Sequence, residues 1–198
     1  MRILGIISAL IFGFSSAAWA QEGEDAFYAA FKKFCTETGA EPDSVKAAVE
    51  ATPLATPIRP PASTAPPYPM TAVGWNVNWN GHPLIINSGT SLAPYGPGLA
   101  MPTVSCVVSS RGNEDAGIAA IRKWVGVQSD PQASTSSGSS YYTYREDGFG
   151  RKPMIGDDAA LKSAMAQGKA WLLTVVQWPD FASAQLMHFL APTAAKPN

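Results

Sequence analysis

The sequence predicts an α+β domain, in which helices pack on an antiparallel sheet of hairpin-linked strands. Apolar residues recur at helical spacing in 24–38, apolar–polar alternation begins at Trp75, and an Asn80-Gly81 pair separates the first two apolar runs. Helices therefore precede most of the strands along the chain. The expected organisation is a signal peptide (1–20), a helical hairpin packed on the domain (21–52), a proline-rich connector (53–70), an α+β core with two further helices (71–190) and a disordered tail (191–198).

The first twenty residues have the three parts of a cleavable secretory signal. Arg2 supplies a positive charge, an apolar run from Ile3 to Phe14 follows, and Ala18-Trp19-Ala20 has the A-x-A spacing that signal peptidase requires. The alternative is an uncleaved anchor, but the run is shorter than the roughly 20 residues that a spanning helix needs. We predict cleavage between Ala20 and Gln21 and release into the periplasm or outside the cell, with no membrane anchor.

The charge balance of the chain excludes two classes of partner. The chain has 14 basic and 15 acidic residues, and losing Arg2 with the signal changes the formal net charge from −1 to −2. Nucleic acids and anionic membranes are bound by concentrated basic surfaces. No run of like charge occurs along the sequence, so we expect neither a nucleic acid nor a membrane surface as the partner.

The only two cysteines, Cys35 and Cys106, predict one disulfide, because exported proteins mature where thiols oxidise. Cys35 shares a helical face with Phe31, and Cys106 alternates with Val104 and Val108 on one side of a predicted strand. Both sulfurs should face the core, where the bond would stabilise the fold by roughly 4 kcal/mol. The alternative is two buried thiols that never meet.

Two helices are expected ahead of the connector. Residues 24–38 form an amphipathic pattern that Gly39 ends. Pro42 suits the first turn of a second helix, which Thr52-Pro53 stops. Seven prolines between Pro53 and Pro69 then favour an extended connector, because proline has no N–H to donate to a helix or a sheet.

The clearest sheet signal is a hairpin. Apolar and polar residues alternate over Trp75–Trp79, and Asn80-Gly81 separates them from the apolar run Leu84–Ile86. Asn-Gly is typical of a two-residue turn, because both positions must adopt positive φ. A Gly/Pro-rich loop over 88–102 is expected next, and then a strand at Val104–Val108.

The rest of the chain mixes helices and strands. Asn113 is expected to cap a helix that Gly126 ends, and the serine-rich residues 128–140 are expected to form a mobile loop. The remaining expected elements are a strand at Tyr141–Arg145, a turn at Asp147-Gly148, a helix from Asp157 or Asp158 to Gln167, and strands at Trp171–Trp178 and Gln185–Leu190 around a Pro179-Asp180 turn.

The order of these parts resembles small uncharacterised exported proteins of Gram-negative bacteria. The resemblance rests on Phe31-x-x-Phe34-Cys35 near the mature N-terminus, followed by a short helix, a proline-rich connector and a Trp-rich hairpin. It implies residence in the periplasm, and it carries over no activity and no functional residues.

Residues that could bind a metal are sparse. Only His82 and His188 remain as imidazole ligands once the cysteines pair, and neither lies in an H-x-x-x-H or H-E-x-x-H pattern. Asp157 and Asp158 do not begin a calcium loop, because the alternating oxygen ligands and the later glutamate are missing. We expect no metal and no cofactor.

No catalytic residue can be assigned from a motif. No serine lies in G-x-S-x-G or S-x-x-K. His188 or His82 could serve as a base for a serine, or act with a carboxylate, but a surface histidine or a satisfied strand histidine is the simpler interpretation. The acids and bases over 145–152 and 157–158 are interpreted as surface charges that compensate one another.

Aromatic residues are the candidate binding residues. Trp75 and Trp79 project from one side of their strand, where burial in the core is the simpler interpretation and an exposed platform for sugars or a partner is the alternative. Tyr141, Tyr142 and Tyr144 flank the serine-rich loop. Tyrosine together with serine is typical of adaptable recognition surfaces.

These features favour an exported, non-enzymatic binding or accessory protein of the cell envelope, whose partner is a protein or an envelope component. The alternative is a periplasmic hydrolase that uses a histidine with a serine or a carboxylate. A concave pocket holding a histidine beside a carboxylate would favour the hydrolase, and isolated histidines would favour the binding protein.

Overall fold

The computed structural model describes residues 24–58, 71–94, 100–134 and 138–192. The predicted signal peptide, most of the predicted connector and most of the predicted tail lie outside these ranges. Within them the chain forms four α-helices, one eight-stranded antiparallel sheet and one disulfide. The α+β class is therefore confirmed.

The elements alternate irregularly along the chain. The helices are α1 (Ala26–Phe31, continued by a π-helical turn at Lys32–Thr36), α2 (Pro42–Glu50), α3 (Asp115–Val125) and α4 (Asp158–Ala166). The strands are β1 (Thr56–Ile58), β2 (Thr71–Trp79), β3 (His82–Pro94), β4 (Ala100–Ser110), β5 (Ser139–Asp147), β6 (Gly150–Pro153), β7 (Ala170–Trp178) and β8 (Phe181–Phe189). Their order across the sheet is β1-β2-β3-β4-β8-β7-β5-β6.

The hairpin predicted around Asn80-Gly81 is present. Both turn residues have positive φ, 53° and 84°, and Trp79 pairs with His82 directly across the turn. These angles give the twist that a two-residue hairpin turn needs. A second two-residue connection lies at the predicted Pro179-Asp180 turn, where Trp178 of β7 pairs with Phe181 of β8, although neither turn residue has positive φ.

The strands of this sheet are longer than predicted. β3 continues to Pro94 and β4 begins at Ala100, so much of the expected loop over 88–102 is strand. Gly89, which suggested a loop, belongs to the ladder. A Cβ at this position would lie 3.0 Å from the Cα of Ala72 on β2, so glycine permits close pairing of the two backbones.

The two edge strands were not among the expected elements. β1 lies within the predicted connector, and its Pro57 pairs with Trp75 of β2. Proline is tolerated there because the backbone of an edge strand need not donate hydrogen bonds on its outer side. At the opposite edge β6 pairs with the end of β5, where Gly150 faces Asp147.

The helix boundaries differ from the prediction in two places. The first helix leaves α-geometry after Phe31 and ends as a π-helical turn, instead of remaining α-helical over 24–38. Helix α3 begins after Glu114 rather than after Asn113. The Asn113 side chain instead accepts from the Asp115 N–H at 3.0 Å and forms a turn ahead of the helix.

The main core lies between one face of the sheet and helices α1 to α3. Cys35, in the π-helical turn, and Cys106, in the middle of β4, form the predicted disulfide across this interface, with Cα atoms 5.3 Å apart. Helix α4 covers one end of the opposite face, where Met154, Met165 and Phe189 belong to a smaller buried cluster. The rest of that opposite face has no helix over it among the described residues.

Candidate functional site

The uncovered part of the sheet presents two cross-strand rows of side chains. They come from alternate positions of six strands and point away from helices α1 to α3. We call these ten residues the open face: Asn87, Val107, Gln185, Thr174 and Tyr141 in one row, and Asn76, Ile85, Ser109, Ser183 and Val176 in the other. None of them is ionisable at neutral pH, and all but Ser109 are partly or fully exposed.

A groove of about 480 Å³ occupies one end of the open face. It is lined by Asn76, Ile85 and Ser109, together with Leu54 and Arg111. Its volume lies within the range of about 300–1,000 Å³ that small-molecule sites have. A second cavity of about 90 Å³ lies beside Asn87, Val107 and Gln185.

The polar groups of the open face are available for hydrogen bonding. Among the described residues, the carboxamides of Asn76, Asn87 and Gln185 have no hydrogen-bond partner. The hydroxyl oxygens of Ser109 and Ser183 are 3.1 Å apart, and each can still accept a further hydrogen bond. A carboxamide both donates and accepts, so this surface suits a ligand that does the same.

Of the two candidate tryptophans, Trp75 belongs to the core and Trp79 is partly buried against it. Trp75 is 4% exposed, and Trp79 packs edge-on against Phe34 with ring centroids 5.1 Å apart. Strand alternation directs both toward the helices, together with Val77. Their positions therefore agree with burial on the core side of the sheet and not with an exposed platform. Neither ring lies on the open face.

The three candidate tyrosines divide between the two faces of β5. Tyr142 and Tyr144 point to the helices and are buried, and Tyr141 lies between them on the open face, partly exposed. Burial raises the pKa of the Tyr144 phenol, although the nearby Arg151 guanidinium acts in the opposite direction. Only Tyr141 is therefore placed to contact a ligand.

His82 lies beside a carboxylate. Its Nε2 is 2.7 Å from Oε1 of Glu114, and the Ser110 hydroxyl donates to the same oxygen at 2.6 Å. The serine is thus bonded to the acid and not to the imidazole, which is the reverse of a nucleophile with its base. Ser110 and Glu114 are 3% and 6% exposed, so a substrate has little access to either.

His188 has a structural environment. Its ring stacks on Trp171 with centroids 4.0 Å apart, and its Nε2 lies 2.9 Å from the carbonyl oxygen of Gly168. No carboxylate contacts it among the described residues. The imidazole therefore connects the loop after α4 to β8 and packs on Trp171 at the start of β7.

A further polar cluster surrounds Arg151. Its guanidinium lies 3.8 Å from the ring centroid of Trp124, donates to the Trp124 carbonyl and donates from Nε to Glu146 at 2.8 Å. These contacts use both the planar face and the donors of the arginine. They connect β6 to helix α3, and they occupy most of the guanidinium surface that a ligand could contact.

Comparisons with protein-family models, curated proteins and solved structures find no match for this chain. Across residues 24–58, 71–94, 100–134 and 138–192, no group of three or more histidine, cysteine, aspartate and glutamate side chains could hold a metal ion. In the same ranges no helix has the length and apolar character needed to cross a bilayer.

The candidate residues predicted from the sequence were aromatic, and the amides of the open face were not among them. Asn76 was visible only as the polar partner in an alternating strand, and Asn87 lay in a predicted loop. Gln185 stood at the start of a predicted strand, with no sign that its neighbours across the sheet would also be uncharged. The available signal was the absence of charge at outward positions of consecutive strands.

Proposed function

We propose that this chain is an exported, non-enzymatic binding or accessory protein of the cell envelope, and that the open face is its binding surface. The observation that carries the proposal is an uncharged face on six strands, indented by a groove of about 480 Å³. Export itself is proposed from residues 1–20 and from the resemblance to exported proteins, and the Cys35–Cys106 disulfide supports it.

The chemistry of the open face favours an uncharged glycan over a protein partner. Protein interfaces rely on aromatic, arginine and large apolar anchors, whereas Asn76, Asn87 and Gln185 offer carboxamides. A neutral sugar chain has the matching donors and acceptors, and it has no charge that would lose its hydration on these ten uncharged residues, although Arg111 lines the end of the groove beside them. The apolar residues beside the amides, Val107 and Ile85, can contact the C–H groups of sugar rings.

An aromatic ring stands next to the open face. Trp178, 49% exposed, is the next outward position on β7 after Val176, and it pairs with Phe181 across the β7–β8 turn. Sugar rings present apolar C–H faces that pack on aromatic rings. The exposed platform for sugars that was the alternative interpretation of Trp75 and Trp79 is thus proposed for a different tryptophan.

Calorimetric titration of the protein recovered from the periplasm tests this proposal, with neutral N-acetylglucosamine oligomers as the probe. We expect saturable binding. Asn87→Asp and Gln185→Glu each place an unpaired negative charge on the face with almost no change in shape. Each should weaken binding about tenfold or more, because the carboxylate can only accept hydrogen bonds, so the two N–H donors of the amide are lost and a charge must be partly dehydrated when the sugar covers it.

Gln128→Glu is the matched control, because Gln128 is exposed and lies outside the open face. It should leave the affinity unchanged. Absence of binding by the unaltered protein would contradict the glycan proposal, and an equal loss in all three variants would place the binding elsewhere. N-terminal sequencing of the recovered protein tests export separately, with Gln21 expected as the first residue.

A hydrolase is the second candidate function, and the His82–Glu114 contact is the observation that favours it. Under this proposal Nδ1 of His82, which has no partner among the described residues, would be the base. His82→Ala would then abolish turnover of an envelope ester or amide and leave the melting temperature unchanged. The histidine would be structural if His82→Ala lowered the melting temperature and the unaltered protein showed no measurable turnover.

We also propose that α1, its π-helical turn and α2 act as one helical hairpin. The Ala40 N–H donates to the Cys35 carbonyl at 2.9 Å in the connection between them, and Val45 and Val49 share the main core with Phe34. The hairpin would then hold Cys35 next to β4, so that both helices remain packed against the sheet when the protein binds its ligand.

A further inference from the structure

One end of the groove in the open face carries a positive charge. Asn78 of β2 pairs with Pro83 of β3 in the next outward row of the sheet, and both line the groove. Arg111 comes two residues after Ser109 and continues the outward alternation of β4. We call this part of the groove the Arg111 end, which consists of Leu54, Asn78, Pro83 and Arg111.

No carboxylate neutralises Arg111. Among the described residues its side chain is exposed and makes no ion pair or hydrogen bond, and no aspartate or glutamate lines the groove. Glu114, three positions later, is buried and bonded to His82. The carbonyl of Asp180 accepts from the Gly112 N–H at 3.1 Å, but the Asp180 carboxylate makes no ion pair with Arg111. The guanidinium donors are therefore available to an anionic group of a ligand.

Leu54 is the second unusual residue at the Arg111 end. It lies in the turn between α2 and β1, its side chain is 80% exposed, and its φ of 64° is in the left-handed region that leucine rarely adopts. Glycine or asparagine suits such a position better, so neither burial nor turn geometry accounts for the leucine. A backbone outlier of this kind is typical of ligand-binding positions. The Leu54 side chain gives the groove an apolar wall near the cation.

The Arg111 end also lies beside the exposed tryptophan. Ser110 pairs with Ala182 of β8, so the next residue, Arg111, is close to the start of that strand. Trp178 pairs with Phe181, the first residue of β8. Arg111 is therefore placed between the groove and the ring that we propose to contact sugars, where one glycan chain can reach all three.

We propose that the Arg111 end binds an acidic sugar within the glycan, one whose carboxylate is carried on a short apolar ether. This inference rests on the proposed function of the open face and names the sugar class that the groove selects. The Arg111 guanidinium can donate two parallel hydrogen bonds to a carboxylate, and Leu54 contacts the apolar part of the ether. The rest of the glycan remains neutral, in keeping with the ten uncharged residues of the open face.

The overall charge of the protein does not produce this preference. The chain has a formal net charge of −1, so at a distance it weakly repels an acidic glycan. Tighter binding of an acidic sugar than of its neutral analogue therefore requires a local contact. Arg111 is the only charged residue among the described residues that line the groove.

Calorimetric titration at constant ionic strength tests the inference with two disaccharides that differ in one group. One consists of two N-acetylglucosamine residues, and the other carries a lactyl ether on O3 of one of them. We expect the acidic disaccharide to bind about tenfold more tightly, because it gains one charge-assisted contact. In Arg111→Gln the ratio of the two affinities should fall to about one. Arg122→Gln, on the exposed surface of α3, removes the same charge elsewhere and should keep the ratio.

Leu54→Gly tests the apolar contact. Glycine adopts positive φ without strain, so the melting temperature should fall little. The affinity for the acidic disaccharide should fall about threefold, because the methyl group of the ether loses its apolar cover. An unchanged affinity would overturn the part of the inference that depends on Leu54.

The two disaccharides separate this inference from the proposed function. Equal binding of both would overturn the inference and leave the open face as a surface for neutral glycans. Binding of the acidic disaccharide alone would support the Arg111 end and contradict a purely neutral ligand. Binding of neither would overturn both proposals, and a tenfold preference that persists in Arg111→Gln would overturn the role of the arginine.

Discussion

Nε2 of His82 lies 2.7 Å from Oε1 of Glu114, and this contact joins the β2–β3 hairpin to the start of helix α3. Glu114 is 6% exposed, and the Ser110 hydroxyl donates to the same oxygen. A buried carboxylate is stable in a fold only when donors surround it. The cluster therefore acts as a structural connection between the sheet and the helix layer.

Glu114→Gln tests this structural role. The glutamine keeps the shape of the side chain but loses the charge that strengthens both hydrogen bonds, so the free energy of unfolding should fall by about 1–3 kcal/mol. Urea denaturation measures it. Glu41→Gln, at an exposed residue whose side chain caps nothing, is the control and should change stability little. Equal stability of the two variants would contradict the role of the cluster.

The disulfide provides a second prediction. Cys35 and Cys106 are 71 residues apart, so breaking the bond should destabilise the fold by about 4 kcal/mol through the larger entropy of the unfolded chain. Denaturation of the unaltered protein with and without a reductant measures the loss. The double variant Cys35→Ser, Cys106→Ser should have low stability that the reductant does not change. Alkylation of two thiols in the unreduced protein would contradict the bond.

Gly117 permits the close approach of α1 and α3. A Cβ there would lie 2.9 Å from the Cβ of Phe27 and would contact the Asp25 carboxylate that caps α1. Gly117→Ala should therefore lower the free energy of unfolding by about 1–3 kcal/mol, despite the better helix propensity of alanine. Gly148→Ala, where a Cβ meets nothing within 4 Å, is the control for the same chemical change. A gain of stability in Gly117→Ala would show that the helices can move apart without cost.

The Asp147–Lys152 pair predicts a pH dependence. The pKa of Asp147 is lower in the folded chain than its unfolded value of about 3.9, so its stabilising effect is present above that pH and is lost as the pH falls through the folded pKa. Lys152→Gln should raise the Asp147 pKa toward the ordinary value. Carboxyl-carbon NMR titration measures the shift, and Lys123→Gln on α3 should leave it unchanged. An unaltered Asp147 pKa in Lys152→Gln would contradict the pairing.

The sequence predicted the parts of the fold that depend on local chemistry. The Asn80-Gly81 turn, the Pro179-Asp180 turn and the ends of helices at Gly126 and Gly168 follow from positive φ or from proline. The alternation around Trp75 placed the core face of β2 correctly. These signals lie within a few residues of the structure that they determine, so a single sequence reveals them.

The features missed depend on distant pairing. Glu114 resembles a surface residue until His82, 32 positions earlier, is placed against it. Asn87 and Gln185 form one row only because Val107 of β4 lies between them in the sheet. No local pattern specifies that order of strands, and none indicates that the polar face would remain without a covering helix.

The measurement that most directly tests the open face is a map of the amide signals perturbed when neutral N-acetylglucosamine oligomers are added to the 15N-labelled protein. If the open face is the binding surface, the shifts should concentrate on β2, β3, β4 and β8 around Asn76, Asn87 and Gln185, with a further shift at Trp178. The signals of α1 and α3 should remain in place. Shifts centred on His82 and Glu114, or no saturable shift anywhere, would contradict this role of the open face.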